Sequence, residues 1–156
     1  MMFFVKHLGI DYGTTYVGLA LSDDAGVLAF PLEVVRNSAS LARDIEAVAV
    51  RERVGRVVIG ESRTEAGEEN PVTRPIHVFG QKLQRRVSVP IDYEAEMFTS
   101  REAARPIISR RGATTRPSRH RATRAGRQDA SAAALILQRY LDRNRGNPHK
   151  DHGVAR

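Results

Sequence analysis

The 156-residue chain contains no cysteine and no tryptophan. It therefore cannot form a disulfide, a thiolate nucleophile or a Cys-ligated zinc or iron–sulfur centre. Long apolar runs are missing too. The longest, Ala132 to Leu137, falls far short of the roughly 20 residues that span a bilayer. The opening MMFFVKHLGI has no basic stretch ahead of its apolar residues, and Lys6 and His7 interrupt them, so it does not read as a signal peptide. These absences predict a cytoplasmic protein with no membrane partner. At 41% hydrophobic and 28% charged residues, the chain can still bury a core, and its composition is not that of a disordered polymer.

The charge is unevenly placed. The formal net charge is +7. Between Ala103 and Gln128 there are eight arginines and no Asp, Glu or Lys: Arg105, Arg110, Arg111, Arg116, Arg119, Arg121, Arg124 and Arg127. The rest of the chain is close to neutral. A basic segment of this kind suits a phosphate backbone, because each neutralised phosphate releases counterions. Arginine strengthens that reading, since its planar fork matches phosphate oxygens. The plainer alternative is a solvated, arginine-rich stretch.

Hydrophobic patterning predicts strands over residues 4–11, 16–22, 27–35, 56–60 and 89–93. Gly13-Thr14-Thr15 suits a hairpin turn, and Pro31 marks an edge or a bulge. Helices are expected from Ser38 to about Arg53, from Val72 to Val87, and from Asp129 to Leu141. Thr99 to Glu102 fits a capping box that opens a short helix before Pro106. Glu61 to Pro71 reads as a polar loop. Three consecutive strands followed by alternating helices and strands predict an α/β fold. Its mixed sheet would have five strands, an antiparallel three-strand meander plus parallel strands, with helices on both faces. The expected domain is 1–143, with a basic loop at 105–128 before the last helix and a disordered tail at 144–156.

Three acids fall where elements begin or end. Asp11 closes the first strand, Glu96 follows the fifth, and Asp129 opens the last helix. In a parallel arrangement these ends gather along one edge of the sheet, where ligands bind. Carboxylates crowded there repel unless a cation sits between them. A hard cation such as Mg²⁺ or Mn²⁺ takes such oxygen ligands together with substrate phosphates. The layout is that of metal-assisted phosphodiester hydrolysis with one or two ions. Each acid has a plainer role available. Asp11 could cap the turn that follows it, Asp129 could be an ordinary N-cap, and Glu96 could belong to a solvent-facing alternation with Asp92 and Glu94. Glu61, after RVVIG, is a candidate fourth ligand. The five histidines (His7, His77, His120, His149 and His152) form no ligand pattern.

The segment Leu8-Gly-Ile-Asp-Tyr-Gly-Thr-Thr-Tyr-Val-Gly-Leu-Ala-Leu-Ser-Asp23 resembles the opening of the YqgF (RuvX) family, described as nucleases of pre-16S rRNA and related to Holliday-junction resolvases. Glu96-Met-Phe-Thr-Ser100 is similar to that family's Glu-Arg-Leu-Thr-Thr. The run from Asp129 to Asp142, DASAAALILQRYLD, resembles its final helix. The resemblance implies a ribonuclease H-like fold and a metal-dependent nuclease, with Asp11, Glu96 and Asp129 as its catalytic acids. The chain departs from the family pattern at Gly60-Glu-Ser-Arg-Thr64, where the family has Gly-Leu-Pro and an Asn, and at Met97, where it has Arg. The expected partner is nucleic acid, pre-rRNA or structured DNA, and the protein would be a monomer or a homodimer.

Two other functions fit parts of the pattern. Gly9-Ile-Asp-Tyr-Gly-Thr-Thr15 also resembles the first phosphate loop of actin-like and sugar-kinase-like ATPases, but those need two such domains and the chain has room for one. A non-catalytic RNA-binding factor would use the arginines and leave the acids as caps.

Overall fold

A computed structural model describes residues 5–63, 73–97 and 124–145, without the side chains of residues 62, 63, 73, 96, 97 and 124–128. The elements run β1 (Lys6–Asp11), β2 (Tyr16–Ser22), β3 (Ala29–Arg36), α1 (Leu41–Arg51), β4 (Val54–Arg63), α2 (Thr73–Gln84), β5 (Ile91–Met97) and α3 (Arg124–Asn144). The five strands form one sheet in the order β3-β2-β1-β4-β5. β1 pairs antiparallel with β2, and β2 with β3. β4 is parallel to β1, and β5 is parallel to β4. This is the mixed sheet that the patterning predicts. Pro31 lies on the edge strand β3 next to a bulge, where the register slips between the Leu19–Glu33 and Ala20–Pro31 pairs. A missing N–H is tolerated at both kinds of position.

Strand alternation sorts the side chains to two faces. Leu8, Ile10, Val17, Leu19, Val57 and Ile59 point to one face and bury against α1 and α2. On α1, Leu41, Ile45, Val48 and Ala49 supply the matching stripe, with the spacing of an amphipathic helix. Ala20, Ala29 and Val58 point to the other face and meet Ala133, Ile136 and Leu137 of α3.

That second face is built for close approach. A methyl group at Gly9 would lie 2.7 Å from Leu137 Cβ, and one at Gly60 would lie 2.5 Å from Ile136 Cδ1. One at Gly18 would overlap the main-chain carbonyl of Asp129. The three glycines therefore let α3 lie directly on β1, β2 and β4, and they set the height at which Asp129 sits.

Several boundaries differ from the sequence expectation. β4 extends to Arg63, so Glu61 lies in a strand rather than a loop. β5 extends to Met97, which places Glu96 inside the strand rather than after it. In both cases parallel pairing from Val57–Ile91 to Arg63–Met97 holds polar residues in the sheet; pairing outweighs local propensity. α3 begins at Arg124, so Asp129 lies inside the helix and not at its cap. Arg124 and Arg127 belong to its first turns instead of to the basic loop. Helix α1 starts at Leu41 after Ser40, and Ser38 belongs to the preceding turn. The expected helix at Thr99, the arginines from Arg105 to Arg121 and the tail beyond Arg145 lie outside the described residues. No helix among the described residues is long and apolar enough to cross a membrane.

A polar network closes the far end of the α3 face. Arg56 donates to Asp92 at 2.6 Å, and the Tyr140 hydroxyl donates to the same carboxylate. His7 lies beside this group, its ring 6.1 Å from that of Tyr140. Burial pushes the His7 imidazole below its ordinary pKa. The Arg56 guanidinium pushes the same way, and Asp92 and the Val5 backbone offset part of the shift. The unfolded chain then binds a proton at a higher pH than the native chain does. Stability is expected to fall as pH drops below about 6.5 and through the lower native value. Thermal unfolding across this range should show that slope in the wild type and a flatter one in His7→Gln. Equal slopes would remove His7 as the cause.

Candidate functional site

The carboxyl ends of β1, β4 and β5 lie at one edge of the sheet, because these strands are parallel. Asp11 is the last residue of β1, and its cross-strand partner is Gly18. The backbone of Asp129 rests on that same Gly18. Asp11 alternates with Ile10, which faces α1 and α2, so Asp11 points to the α3 face. Two acids 118 positions apart are therefore neighbours across a bare patch of strand. Burial raises the Asp129 carboxyl above its usual range. A nearby cation would reverse it by favouring the ionised form.

Glu96 reaches the same edge through β5. Its position is fixed by register: Gly60 pairs with Glu94, and Ser62 pairs with Glu96. Asp92 and Glu94 alternate onto the α3 face, and Glu96 is the next position of the same phase along β5. The first two are already engaged, Asp92 by Arg56 and Tyr140, and Glu94 by Arg143. Glu96 lies two residues farther toward the edge that carries Asp11. β4 runs between the two acids, which puts β1 and β5 about 10 Å apart. On this face β4 contributes Val58 and Gly60, and α3 covers both, with Ile136 lying directly over Gly60. Among the described residues no group of three His, Asp or Glu side chains forms a ready-made metal cage; the Glu96 side chain is outside that set.

Glu61 does not join these acids. It is one residue out of phase with Gly60, so it points to the α2 face. There it is buried, with its carboxylate 3.5 Å from His77 Nε2. His77 in turn stacks on Tyr93, with ring centroids 4.7 Å apart. The sequence expectation placed Glu61 at the same edge but could not set its face. The strand's continuation past Gly60 sets it, and the fourth-ligand assignment is corrected on that ground. Glu61→Gln is accordingly expected to leave Mn²⁺ affinity at the wild-type value by isothermal titration. Weakened affinity would return Glu61 to the site.

Sequence reasoning missed Gly18. The signal was present, since an isolated glycine in a strand pattern marks a bulge or close backbone approach. What could not be read was which distant backbone approaches.

Comparison with known proteins identifies the family and the fold. The RuvX family model, described as "Holliday junction resolvase", matches residues 5–143. A protein of Oleidesulfovibrio alaskensis named "Putative pre-16S rRNA nuclease" is 36% identical over 140 residues, covering 88% of this chain and 92% of its own. A Gloeobacter violaceus protein of the same name is 36% identical over 141 residues, covering 88% and 84%. Among solved structures, Thermus thermophilus RuvC superposes with a TM-score of 0.57 at 20% identity, covering 91% of this chain and 97% of that one. The architecture is thus ribonuclease H-like. With residues 5–143 matched, the chain belongs to the RuvX family of nucleases.

Proposed function

We propose that the protein is an endonuclease that hydrolyses phosphodiester bonds of pre-16S rRNA, with divalent cations held by Asp11, Glu96 and Asp129. The observation that carries this reading is the placement of Asp129 on Gly18, the strand partner of Asp11. The donor set fits the group: carboxylate oxygens are hard ligands, suited to Mg²⁺ or Mn²⁺. The partial burial of Asp129 fits it as well. When bound, such an ion supplies Lewis acidity at the phosphate oxygens.

The chain's own residues do the remaining work. The three acids fix the ion against one edge of a rigid sheet. Water adds to phosphorus, the 3′ oxygen leaves, and the products carry a 5′ phosphate and a 3′ hydroxyl. The arginines from Arg105 to Arg127 hold the backbone on either side. Such a nuclease would work in the cytoplasm, where rRNA is matured.

The relatives' name supports pre-rRNA as the substrate. The family description supports a four-way DNA junction as the second reading, which would require two copies of the chain for paired nicks. Incubation with precursor rRNA and with a four-way junction, each with Mn²⁺ and with EDTA, separates the two. The expected result is cleavage of the RNA in Mn²⁺ and none in EDTA. Cutting of the junction alone would favour the resolvase. Protection of RNA without cutting would make the protein a binding factor.

The basic segment has its own test. Replacing Arg110, Arg111, Arg116 and Arg119 with alanine is expected to weaken RNA binding and to reduce the slope of log affinity against log salt by about 0.7 for each phosphate that is no longer neutralised. An unchanged slope would mean that the segment does not touch nucleic acid.

A further inference from the structure

Behind Asp11, on the opposite face of the sheet edge, lies a groove of 410 Å³ between the starts of α1 and α2. This volume falls within the range of small-ligand pockets. Its floor is apolar and aromatic. Tyr12 and Phe79 lie with ring centroids 5.2 Å apart, and Leu41, Pro75 and Val78 continue the surface. Arg74 and Lys82 line it as well, and both are exposed. Neither pairs with a carboxylate among the described residues.

The groove is structurally tied to the candidate site. Tyr12 follows Asp11 directly in the chain. Alternation sends Asp11 to the α3 face and Tyr12 to the α1–α2 face. Asn37, which also lines the groove, donates its side-chain amide to the Gly13 carbonyl at 2.8 Å and its backbone N–H to the Thr15 carbonyl at 2.9 Å. The turn after Asp11 and the wall of the groove therefore form one hydrogen-bonded unit.

We propose that this groove receives an unpaired nucleotide of the substrate strand, its base against the half-exposed Tyr12 ring, which the buried Phe79 backs, and its phosphates beside Arg74 and Lys82, while the neighbouring phosphodiester lies at Asp11. An aromatic floor with cations at its margin is the combination that binds single strands without reading sequence: bases stack on the rings, and phosphates meet the charges. A paired nucleotide cannot enter, because its base is held in the duplex stack. The groove thus selects for single-stranded or frayed segments at the cut. The proposal rests on the nuclease reading for the position of the scissile phosphate, and only for that.

The test uses the full chain carrying Asp11→Asn, so that RNA is bound and not cut, with a short fluorescein-labelled single-stranded RNA and the blunt duplex of the same sequence as probes. Adding Arg74→Ala and Lys82→Ala, both at exposed positions, is expected to weaken single-strand binding roughly tenfold. Duplex binding and the thermal midpoint should stay unchanged. A 4-thiouridine version of the single strand should photocrosslink to the peptide that contains Tyr12. Unchanged single-strand affinity, an equal loss on both probes, or crosslinks confined to other peptides would overturn the proposal and leave the groove to another occupant, such as the chain's own segments. Cleavage by the wild-type protein is scored separately. Crosslinks in the groove with no wild-type cleavage would sink the nuclease reading and keep the groove, and cleavage without crosslinks there would do the reverse.

Discussion

Asp11→Asn is expected to reduce Mn²⁺-dependent cleavage by on the order of a thousandfold, the scale seen when a preorganised charge is removed from a reaction centre. The substitution keeps the size of the side chain and removes its charge. Asp11 ends the central strand β1 and is only half-buried, so the thermal midpoint should move little. RNA affinity should hold or rise, because one negative charge facing the phosphates is gone. Single-turnover cleavage of precursor rRNA, with anisotropy for affinity, reads both quantities. Wild-type turnover in this variant would take Asp11 out of the chemistry.

Gly18→Ala carries the second large effect, and it acts through position rather than charge. The added methyl would overlap the backbone carbonyl of Asp129. A main-chain atom in the middle of a helix cannot swing aside as a side-chain tip can, so α3 must lift from β2 or the strand must bend. Overpacking of this kind costs about 1–3 kcal/mol. The displaced residue is Asp129 itself, so cleavage should be lost even where the protein still folds. Gly9→Ala is the comparison. Its methyl would meet the Leu137 side chain and the Ala133 carbonyl, farther down the helix from Asp129. It should lower the thermal midpoint while disturbing the Mn²⁺ site less. Native stability and full activity in Gly18→Ala would mean that α3 does not dock on Gly18.

Much of this arrangement was legible in the sequence, for reasons that can be named. The alternation in YVGLALS and the short apolar run RVVIG specify strands, because one or both faces must be buried. The strand count and the order of helices then restrict the sheet to a mixed topology. The acids stood out because element ends gather at one edge. What was not legible depends on tertiary pairing. Glu61 and Glu96 both looked like loop residues, since glutamates weigh against a strand, yet β4 and β5 carry their ladder through both. Phase then separates them: Glu96 shares the register phase of Asp92 and Glu94, and Glu61 lies on the face of α2. A single-residue step decides between the site and the opposite side of the sheet, and no local pattern fixes that step. The last helix was expected to start at Asp129, but α3 begins at Arg124 and runs through Gly126, since one glycine costs a helix only about 1 kcal/mol. The groove at Tyr12 was invisible for the same reason as the close approach at Gly18. Both are made by segments that meet only after folding.

The central claim is that Asp11, Glu96 and Asp129, brought to one edge of the sheet, share a divalent cation. An electron paramagnetic resonance titration of Mn²⁺ into the wild-type protein and into Asp11→Asn, Glu96→Gln and Asp129→Asn tests it without relying on turnover. The account predicts saturable Mn²⁺ binding in the wild type and a marked loss of affinity in each of the three variants, with folding retained by circular dichroism. Mn²⁺ binding that survives unchanged in all three would contradict it.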